Sequence, residues 1–211
     1  MGGTVTVAGV GSWIRTFAEL VAEHKDSLTE LDAAIGDGDH GANMDRGMRA
    51  VVTALEEAEP ATASALFSKA GMTVVSTVGG ASGPLFGTLF LRMGTALGDS
   101  TEISLAQLAT ALRAGLDGVL ARGKAEAGDK TMVDALAPAV TALEEAAAAR
   151  TSMAEALGLA LSAAEGGRDA TTPMQARKGR ASYLGERSVG HQDPGATTVA
   201  LLMAAAVRAL P

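Results

Sequence analysis

The chain has 211 residues, of which 47% are hydrophobic and 3% aromatic, and its formal net charge is −7. This length fits a single domain over residues 1–211, whose core is large enough to need no disulfide or metal staple. The absence of cysteine excludes thiolate metal sites and cysteine nucleophiles, and favours a cytoplasmic location. The negative charge and scarce aromatics argue against nucleic-acid binding, and apolar stretches of only about ten residues argue against a membrane span.

Alanine, the strongest helix former, is abundant, and alternating stretches of strand length are hard to find. The sequence therefore predicts an all-α protein. A first amphipathic helix is expected from about Ser12 to Lys25, and the capping-box pattern from Ser27 to Glu30 predicts a short second helix ending near Ala34. Helical spacing of apolar residues, with cap and stop signals, predicts six more helices. They cover about Gly41 to Glu59, Leu66 to Val78, Ser82 to Leu97, Ser104 to Gly123, Thr131 to Ala149 and Ser152 to Gly166.

The segment from Arg168 to Pro194 is polar and basic, and is predicted to be a loop or a broken helix. From Thr197 to Leu210 the chain is almost uniformly apolar, so we expect a helix buried in the middle of the bundle. About eight helices joined by mostly short connections predict an up-and-down bundle.

An acidic stretch between the second and third predicted helices carries Asp32, Asp37 and Asp39, followed by His40 and Asn43. Carboxylates held close together repel each other unless a cation lies between them, and hard oxygen ligands select magnesium, calcium or manganese. The alternative is a solvated acidic turn. The extra histidine and asparagine in the same loop favour a metal site.

Three familiar motifs are excluded. The glycines of Gly36 to Gly41 have dinucleotide-fingerprint spacing, but no strand is predicted before them and the aspartates would repel a pyrophosphate. A calcium loop starting at Asp37 would place Met48 where a glutamate is required. The segment from Gly118 to Lys124 imitates a phosphate-binding loop, but Ala125 follows where a hydroxyl is needed.

Three further segments favour anions. The glycine-rich stretch from Gly79 to Gly83 leads into a helix N-terminus, and Gly128 to Met132 opens another. The stretch from Gly179 to Gly195 carries arginines that can bind phosphate oxygens. Taken singly, each also fits a tight turn, an ordinary helix cap or a solvated basic loop. Together with the acidic stretch, they indicate a nucleoside di- or triphosphate bound with magnesium.

Four blocks carry a family resemblance: Gly36 to Asn43, Gly79 to Gly87, Gly128 to Met132 and Gly179 to Ala196. In this order they resemble the L subunit of dihydroxyacetone kinase, the DhaL family. The resemblance implies an eight-helix antiparallel barrel that binds ADP or ATP at one end. It implies two magnesium ions held by Asp32, Asp37 and Asp39. The implied nucleotide contacts are His40, Gly41, Ala42, Asn43, Ala81, Ser82, Gly123, Thr131, Met132, Arg180, Asp193, Pro194 and Gly195.

The same resemblance implies a phosphoryl relay. A separate K subunit would hold dihydroxyacetone, and a phosphohistidine protein of the sugar phosphotransferase system would rephosphorylate bound ADP. Asp37, Asp39 and Arg180 would position the phosphoryl group, with no covalent intermediate on this chain. The chain length favours this branch, and the few aromatics predict an adenine lying against aliphatic and methionine side chains.

Three alternatives stay open. The chain could be the L subunit of an ATP-dependent triose or tetrose kinase, with erythrulose as one substrate. It could be a nucleotide-loaded interaction module that reports to a transcription regulator. The weakest alternative is a magnesium-dependent phosphohydrolase that uses His40 or His191 to activate water.

Overall fold

The computed structural model describes residues 3–210. Over this range the chain forms nine α-helices, one 3-10 helix and two short strands, which confirms the all-α prediction. No helix in this range is long and apolar enough to cross a bilayer. The elements are β1 Val5–Thr6, α1 Val7–Glu23, α2 Lys25–Ile35, α3 His40–Ala58, α4 Ala63–Thr77, α5 Ser82–Leu97, β2 Glu102–Ile103, α6 Leu105–Gly123, α7 Val133–Ala148, α8 Met153–Ala170, the 3-10 helix Arg180–Ser188 and α9 Pro194–Ala209.

Eight of the helices form a closed ring. Each packs against the next in the order α1, α3, α4, α5, α6, α7, α8, α9, and α9 packs against α1. Short connections from α3 to α8 make ring neighbours antiparallel, so α3, α5, α7 and α9 all begin at the same end. The short helix α2 lies at that end, against α3 and α9. The expected eight-helix antiparallel barrel is thus confirmed, with α2 as an addition outside the ring.

The ring encloses one continuous apolar core that contains most of the aromatic residues. Phe67 packs edge-on against Trp13 and stacks on Phe90, with ring centroids 6.1 Å apart in both pairs. The indole nitrogen of Trp13 donates to the carbonyl of Leu202 at 2.8 Å, which satisfies the buried N–H. This bond joins α1 to α9, where the first and last helices close the ring.

Both described ends of the chain lie at the end of the barrel opposite the start of α9. The strands β1 and β2 pair antiparallel there, with Val5 opposite Ile103. Leu210, at the end of α9, lies near Gly9 in the first turn of α1. The end where α3, α5, α7 and α9 begin therefore lies away from both Val5 and Leu210.

Two predicted helix starts are wrong. α1 begins at Val7, ahead of Ser12, because the Thr6 hydroxyl caps the helix by accepting from the Gly9 amide at 3.2 Å. The predicted capping box at Ser27 does not form, since α2 already begins at Lys25, one residue after α1. The Ser27 hydroxyl instead donates to the carbonyl of His24 at 2.9 Å.

Two predicted helix ends also differ. The left-handed residue that stops α6 is Lys124, with φ 49°, and Gly123 is the last helical residue. α8 continues past Gly166 to Ala170. At Gly167 the missing side chain lets α8 approach the Asp134 carbonyl on α7 too closely for a Cβ atom.

α5 starts where predicted, whereas the starts of α7 and α9 differ by a few residues from the predictions. Ser82 is the first helical residue of α5, and Ala81 is its cap. α7 begins at Val133. α9 begins at Pro194 and is a ring member between α1 and α8, where a central helix was expected. Only Arg208 of its residues is exposed, which explains its apolar sequence.

The contact between α4 and α5 depends on glycine. A Cβ atom on Gly87 would overlap the Val75 side chain, whereas one on Gly158, on the exposed face of α8, would meet nothing within 4 Å. We expect Gly87→Ala to lower the free energy of unfolding by about 1–3 kcal/mol through overpacking. Gly158→Ala should raise it by about 0.5–1 kcal/mol by restricting the unfolded chain. Urea denaturation of both variants checks this, and equal effects would contradict the packing.

Candidate functional site

A cavity of about 370 Å³ opens at the end of the barrel where α3, α5, α7 and α9 begin. Cavities of this size accept small organic ligands. Its wall combines carboxylates, helix N-termini, two arginines, two lysines and apolar side chains. The residues predicted for the site that line it are Asp32, Asp37, Asp39, His40, Ala81, Ser82, Gly123, Thr131, Met132, Arg180, Asp193, Pro194 and Gly195.

The three aspartates converge on one edge of the cavity. One oxygen from each of Asp32, Asp37 and Asp39 lies within 4.8 Å of the others. Gly38, with φ 71°, provides the left-handed backbone that bends the loop between the last two. Three carboxylates this close repel one another strongly in the absence of a cation.

Asp32 also organises the start of α3. It is only 9% exposed, and its Oδ2 accepts from the backbone amides of Asp39 and His40 at 2.9 and 3.1 Å. Asp39 occupies the cap position of α3, but its own side chain makes no capping bond. Because Asp32 caps the helix in its place, the Asp39 carboxylate stays available to the cavity.

The donor set fits a hard divalent cation. Asp32, Asp37 and Asp39 offer only carboxylate oxygen atoms, and the chain contains no cysteine that could add a thiolate. Magnesium is bound in this way, with few carboxylates and its remaining positions open to water and phosphate oxygens. The three carboxylates thus fit the magnesium site that the sequence predicts.

Arg180 reaches this acidic edge from the 3-10 helix. Its Nη1 lies 3.1 Å from Oδ2 of Asp37, and its side chain is 64% exposed. Such an exposed ion pair contributes little to stability, about 0–1 kcal/mol. The guanidinium is therefore easily redirected to an anion at the same place.

His40, the first residue of α3, is buried and hydrogen-bonded on both ring nitrogens. Its Nε2 lies 2.7 Å from the Thr198 hydroxyl, which itself donates to the Pro194 carbonyl at 2.9 Å. Nε2 must therefore carry the hydrogen, and Nδ1 accepts from the Ser82 hydroxyl at 3.0 Å. Burial lowers the pKa of His40, and the nearby Asp32 and Asp39 only partly oppose this. The ring is thus neutral, and ties the starts of α3, α5 and α9 together.

The turn between α4 and α5 is held by Arg46. Its Nη2 donates to Oδ1 of Asn43 at 2.8 Å and to the Thr77 carbonyl at 3.2 Å. The amide nitrogen of Asn43 consequently lies on the side of Gly79. Gly80 then adopts φ 66°, which brings the chain into the N-terminus of α5. Free amides at such a terminus favour a phosphate.

Two aspartates hold the chain segments at the starts of α7 and α9, and Asp193 also lines the cavity. Asp134 accepts from the amides of Gly128 and Thr131, and Asp193 accepts from the Ala196 amide at 2.7 Å. Burial raises the pKa of Asp193 to about 7, and its amide hydrogen bonds oppose this. Burial lowers the pKa of the neighbouring Lys130, and the negative charge of Asp193 partly opposes this by raising it.

A further part of the wall is apolar. Leu85, Val119, Met132 and Val133 line it. Phe86 is also part of the lining but is only 1% exposed, so its ring belongs to the core. This composition suits the predicted adenine environment of aliphatic and methionine side chains.

Three residues of the predicted nucleotide set do not line the cavity: Gly41, Ala42 and Asn43. Gly41 packs against the first turn of α2, Ala42 is exposed, and Asn43 lies beneath Gly79. Their role as nucleotide contacts stays a prediction. The sequence reasoning missed Lys130, which lines the cavity and stands inside the predicted segment from Gly128 to Met132. The adjacent charged residues Asp129 and Lys130, in an otherwise small and polar segment, were the available signal.

Residues 34–208 match the DAK2 domain family, and the chain belongs to this family. It is 47% identical over 190 residues to the ADP-binding subunit DhaL of the PEP-dependent dihydroxyacetone kinase 1 of Listeria innocua, covering 90% of each chain. It is also 47% identical over 192 residues to the corresponding DhaL subunit of Escherichia coli K12, covering 91% of each.

The fold is likewise similar to a solved structure, the dihydroxyacetone kinase of C. freundii in complex with AMP-PNP and Mg²⁺. The TM-score is 0.73 at 26% identity, over 99% of this chain. The chain spans about a third of the length of that kinase, 35%.

Proposed function

We propose that this chain is the ADP-binding L subunit of a PEP-dependent dihydroxyacetone kinase. It would relay a phosphoryl group from a phosphohistidine protein of the phosphotransferase system to dihydroxyacetone held on a separate K subunit. The observation that carries the proposal is the convergence of three carboxylates, the helix starts of α3, α5, α7 and α9, and Arg180 on one cavity. Relatives named as such subunits match the chain over nearly their full length.

Asp32, Asp37 and Asp39 would hold magnesium, and we propose two ions, as the family resemblance implies. When bound, magnesium neutralises phosphate charge and orients the transferred group. The chain's own contribution is positioning. Amides at the start of α5 would bind phosphate oxygens, and Arg180 would move from Asp37 to the phosphates once the carboxylate is engaged. The Ser82 hydroxyl proton is committed to His40, so Ser82 would meet a phosphate through its backbone amide.

The remaining predicted contacts surround the nucleoside. Gly123, Thr131 and Met132 would border the adenosine beside the apolar wall, and Asp193, Pro194 and Gly195 would close the cavity at the start of α9. His40 and Ala81 would lie along the phosphates. In this arrangement no side chain of the chain forms a covalent intermediate. We retain the cytoplasm as the proposed location.

A second candidate is the L subunit of an ATP-dependent triose or tetrose kinase. The similar C. freundii kinase is a longer chain whose structure contains AMP-PNP and Mg²⁺. In that case ATP would exchange freely at the same cavity and no phosphohistidine protein would be needed. A regulatory role toward a transcription regulator would use the same nucleotide site.

Reconstitution separates these functions. The purified chain is first analysed for nucleotide that co-purifies with it, then mixed with dihydroxyacetone and the K subunit of its own organism. We expect retained ADP, and dihydroxyacetone phosphate formed only when the phosphohistidine donor is added. Product formed from ATP without that donor would establish the ATP-dependent kinase instead. Bound ADP with no product under either condition would contradict both kinase assignments and leave the regulatory role.

A further inference from the structure

Lys130 is a buried lysine in the wall of the cavity. It is only 1% exposed, and its Nζ donates to the carbonyls of Ser188 at 2.6 Å and Met174 at 3.0 Å, with a longer contact to Thr172 at 3.5 Å. A lysine ammonium has three hydrogens and no acceptor. All three are therefore used by backbone carbonyls, and none is left for a phosphate.

The backbone of Lys130 is also unusual. Its φ is 62°, in the left-handed region that side chains rarely adopt. A glycine would occupy this position without strain, so the lysine side chain must compensate for its backbone. The adjacent carbonyl of Asp129 accepts from the Arg177 amide at 3.0 Å, a second bond from this turn to the same part of the chain.

The three carbonyls belong to the two legs of a hairpin-like segment, residues 171–193, which we call the arginine arm. Its legs are joined by the Gly190 amide donating to Thr172 at 2.8 Å and by the Ala176 amide donating to the Ser188 hydroxyl at 2.9 Å. Between the legs lies the 3-10 helix that carries Arg180. Lys130 thus binds both legs where they leave the barrel.

The tip of the arm has a smaller anchor of its own. Ala176, Ala181 and Leu184 pack against Ile35 at the end of α2, in a cluster separate from the main core. Four apolar side chains provide little burial. Besides the joins of the arm to α8 and α9, the buried ammonium and the Arg177 bond to Asp129 tie both legs to the turn before α7.

We propose that Lys130 is a positioning residue that fixes the arginine arm and so places Arg180 at the phosphates, and that it is not a phosphate ligand. A lysine in a nucleotide cavity is ordinarily assigned to phosphate as a point charge. Here the ammonium acts on phosphate only through another residue. The inference rests on the proposed nucleotide binding.

A double-mutant cycle tests the proposal. Magnesium-dependent ADP affinity is measured by calorimetry for the wild type, Lys130→Met, Arg180→Gln and the double variant. If Lys130 acts through Arg180, the two losses are not additive. We expect a loss of about tenfold or more in each single variant and at most about threefold more in the double variant. Lys124→Met is the matched control, because Lys124 also has positive φ but is exposed, and its affinity should stay within about twofold.

Hydrogen exchange gives a second readout. In Lys130→Met, the amides of residues 172–190 should exchange faster, while those of α5 and α6 should be unchanged. Ser188→Ala removes the side-chain hydrogen bond between the legs and should also speed exchange of the arm amides. It replaces Lys130→Met in this measurement if Lys130→Met does not fold.

Additive losses, or unchanged exchange in the arm, would overturn the proposal. A phosphate ligand would instead give Lys130→Met a reduced preference for ADP over AMP while Arg180→Gln kept its full effect. If the wild type binds no ADP, the proposed function fails, and the exchange measurement alone decides whether Lys130 anchors the arm.

Discussion

Replacing Asp39 by asparagine should abolish magnesium-dependent ADP binding, with a loss of affinity of about 100-fold or more. Asp39 belongs to the carboxylate trio but makes no capping bond, so the substitution removes a cation ligand and leaves α3 intact. At a ligand concentration of 100 times the wild-type Kd, ligand stabilises the wild type by about 2.7 kcal/mol, and the variant should lose most of this stabilisation.

Without ligand, the same variant should be at least as stable as the wild type. Removing one of three mutually repelling carboxylates lowers electrostatic strain, so Asp39→Asn without ligand should unfold at the same or a slightly higher temperature than the wild type. Asp26→Asn, an exposed acid in the first turn of α2, is the control and should bind ADP normally. Thermal unfolding with and without ADP and magnesium measures both effects. Retained binding in Asp39→Asn would refute the metal site.

Asp193→Asn should make the ligand-free protein more stable than the wild type at pH 8, and this advantage should shrink toward pH 5. Burial raises the folded pKa of Asp193 to about 7 from an ordinary value of 3.8, so the folded state holds a proton that the unfolded state releases. The free energy of unfolding of the wild type therefore falls as the pH rises from about 4 to about 7, and it no longer changes through this group at higher pH. Between pH 5 and 8, the difference in free energy of unfolding between Asp193→Asn and the wild type should change by the order of 2 kcal/mol. Asparagine can still accept from the Ala196 amide, so the α9 cap is kept.

Urea denaturation of both proteins from pH 5 to 8.5 measures this difference. Asp99→Asn, an exposed aspartate between α5 and β2, should show no such pH dependence. The result would be contradicted if the gap between wild type and Asp193→Asn were constant with pH. Lys130 and Asp134 are the charged groups that act on Asp193, lowering and raising its pKa respectively.

The sequence predicts best what depends on neighbouring residues. The carboxylate trio and the helix start at Ser82 lie in short glycine-containing stretches, where spacing along the chain determines which groups meet. The helix from Ser104 follows its local cap, with the Ser104 hydroxyl accepting from the Gln107 amide. Local rules fail at Ser27, because α2 follows α1 so directly that no free helix start is left for this serine to cap.

What the sequence does not predict depends on distant parts of the chain. Lys130 bonds to carbonyls 42 to 58 residues away, and backbone carbonyls leave no mark on residue type. α9 takes its place by packing on α1 and α8, and the Trp13 bond to Leu202 that joins it to α1 spans 189 residues. The apolar sequence of α9 correctly indicated that the helix is buried. A helix in the ring and a helix at the centre of a bundle need the same apolar side chains, so the sequence did not distinguish the two positions.

The pairing of β1 with β2, and of Leu210 with the start of α1, has a consequence for modular architecture. The α9 helix begins at the cavity and has 16 residues, which places its far end roughly 24 Å from the mouth at 1.5 Å per residue. A further domain joined at either end of this fold would therefore leave from the side away from the cavity. A barrel of this kind can thus be one module of a longer chain, as the match to about a third of the C. freundii kinase indicates, and keep its cavity open.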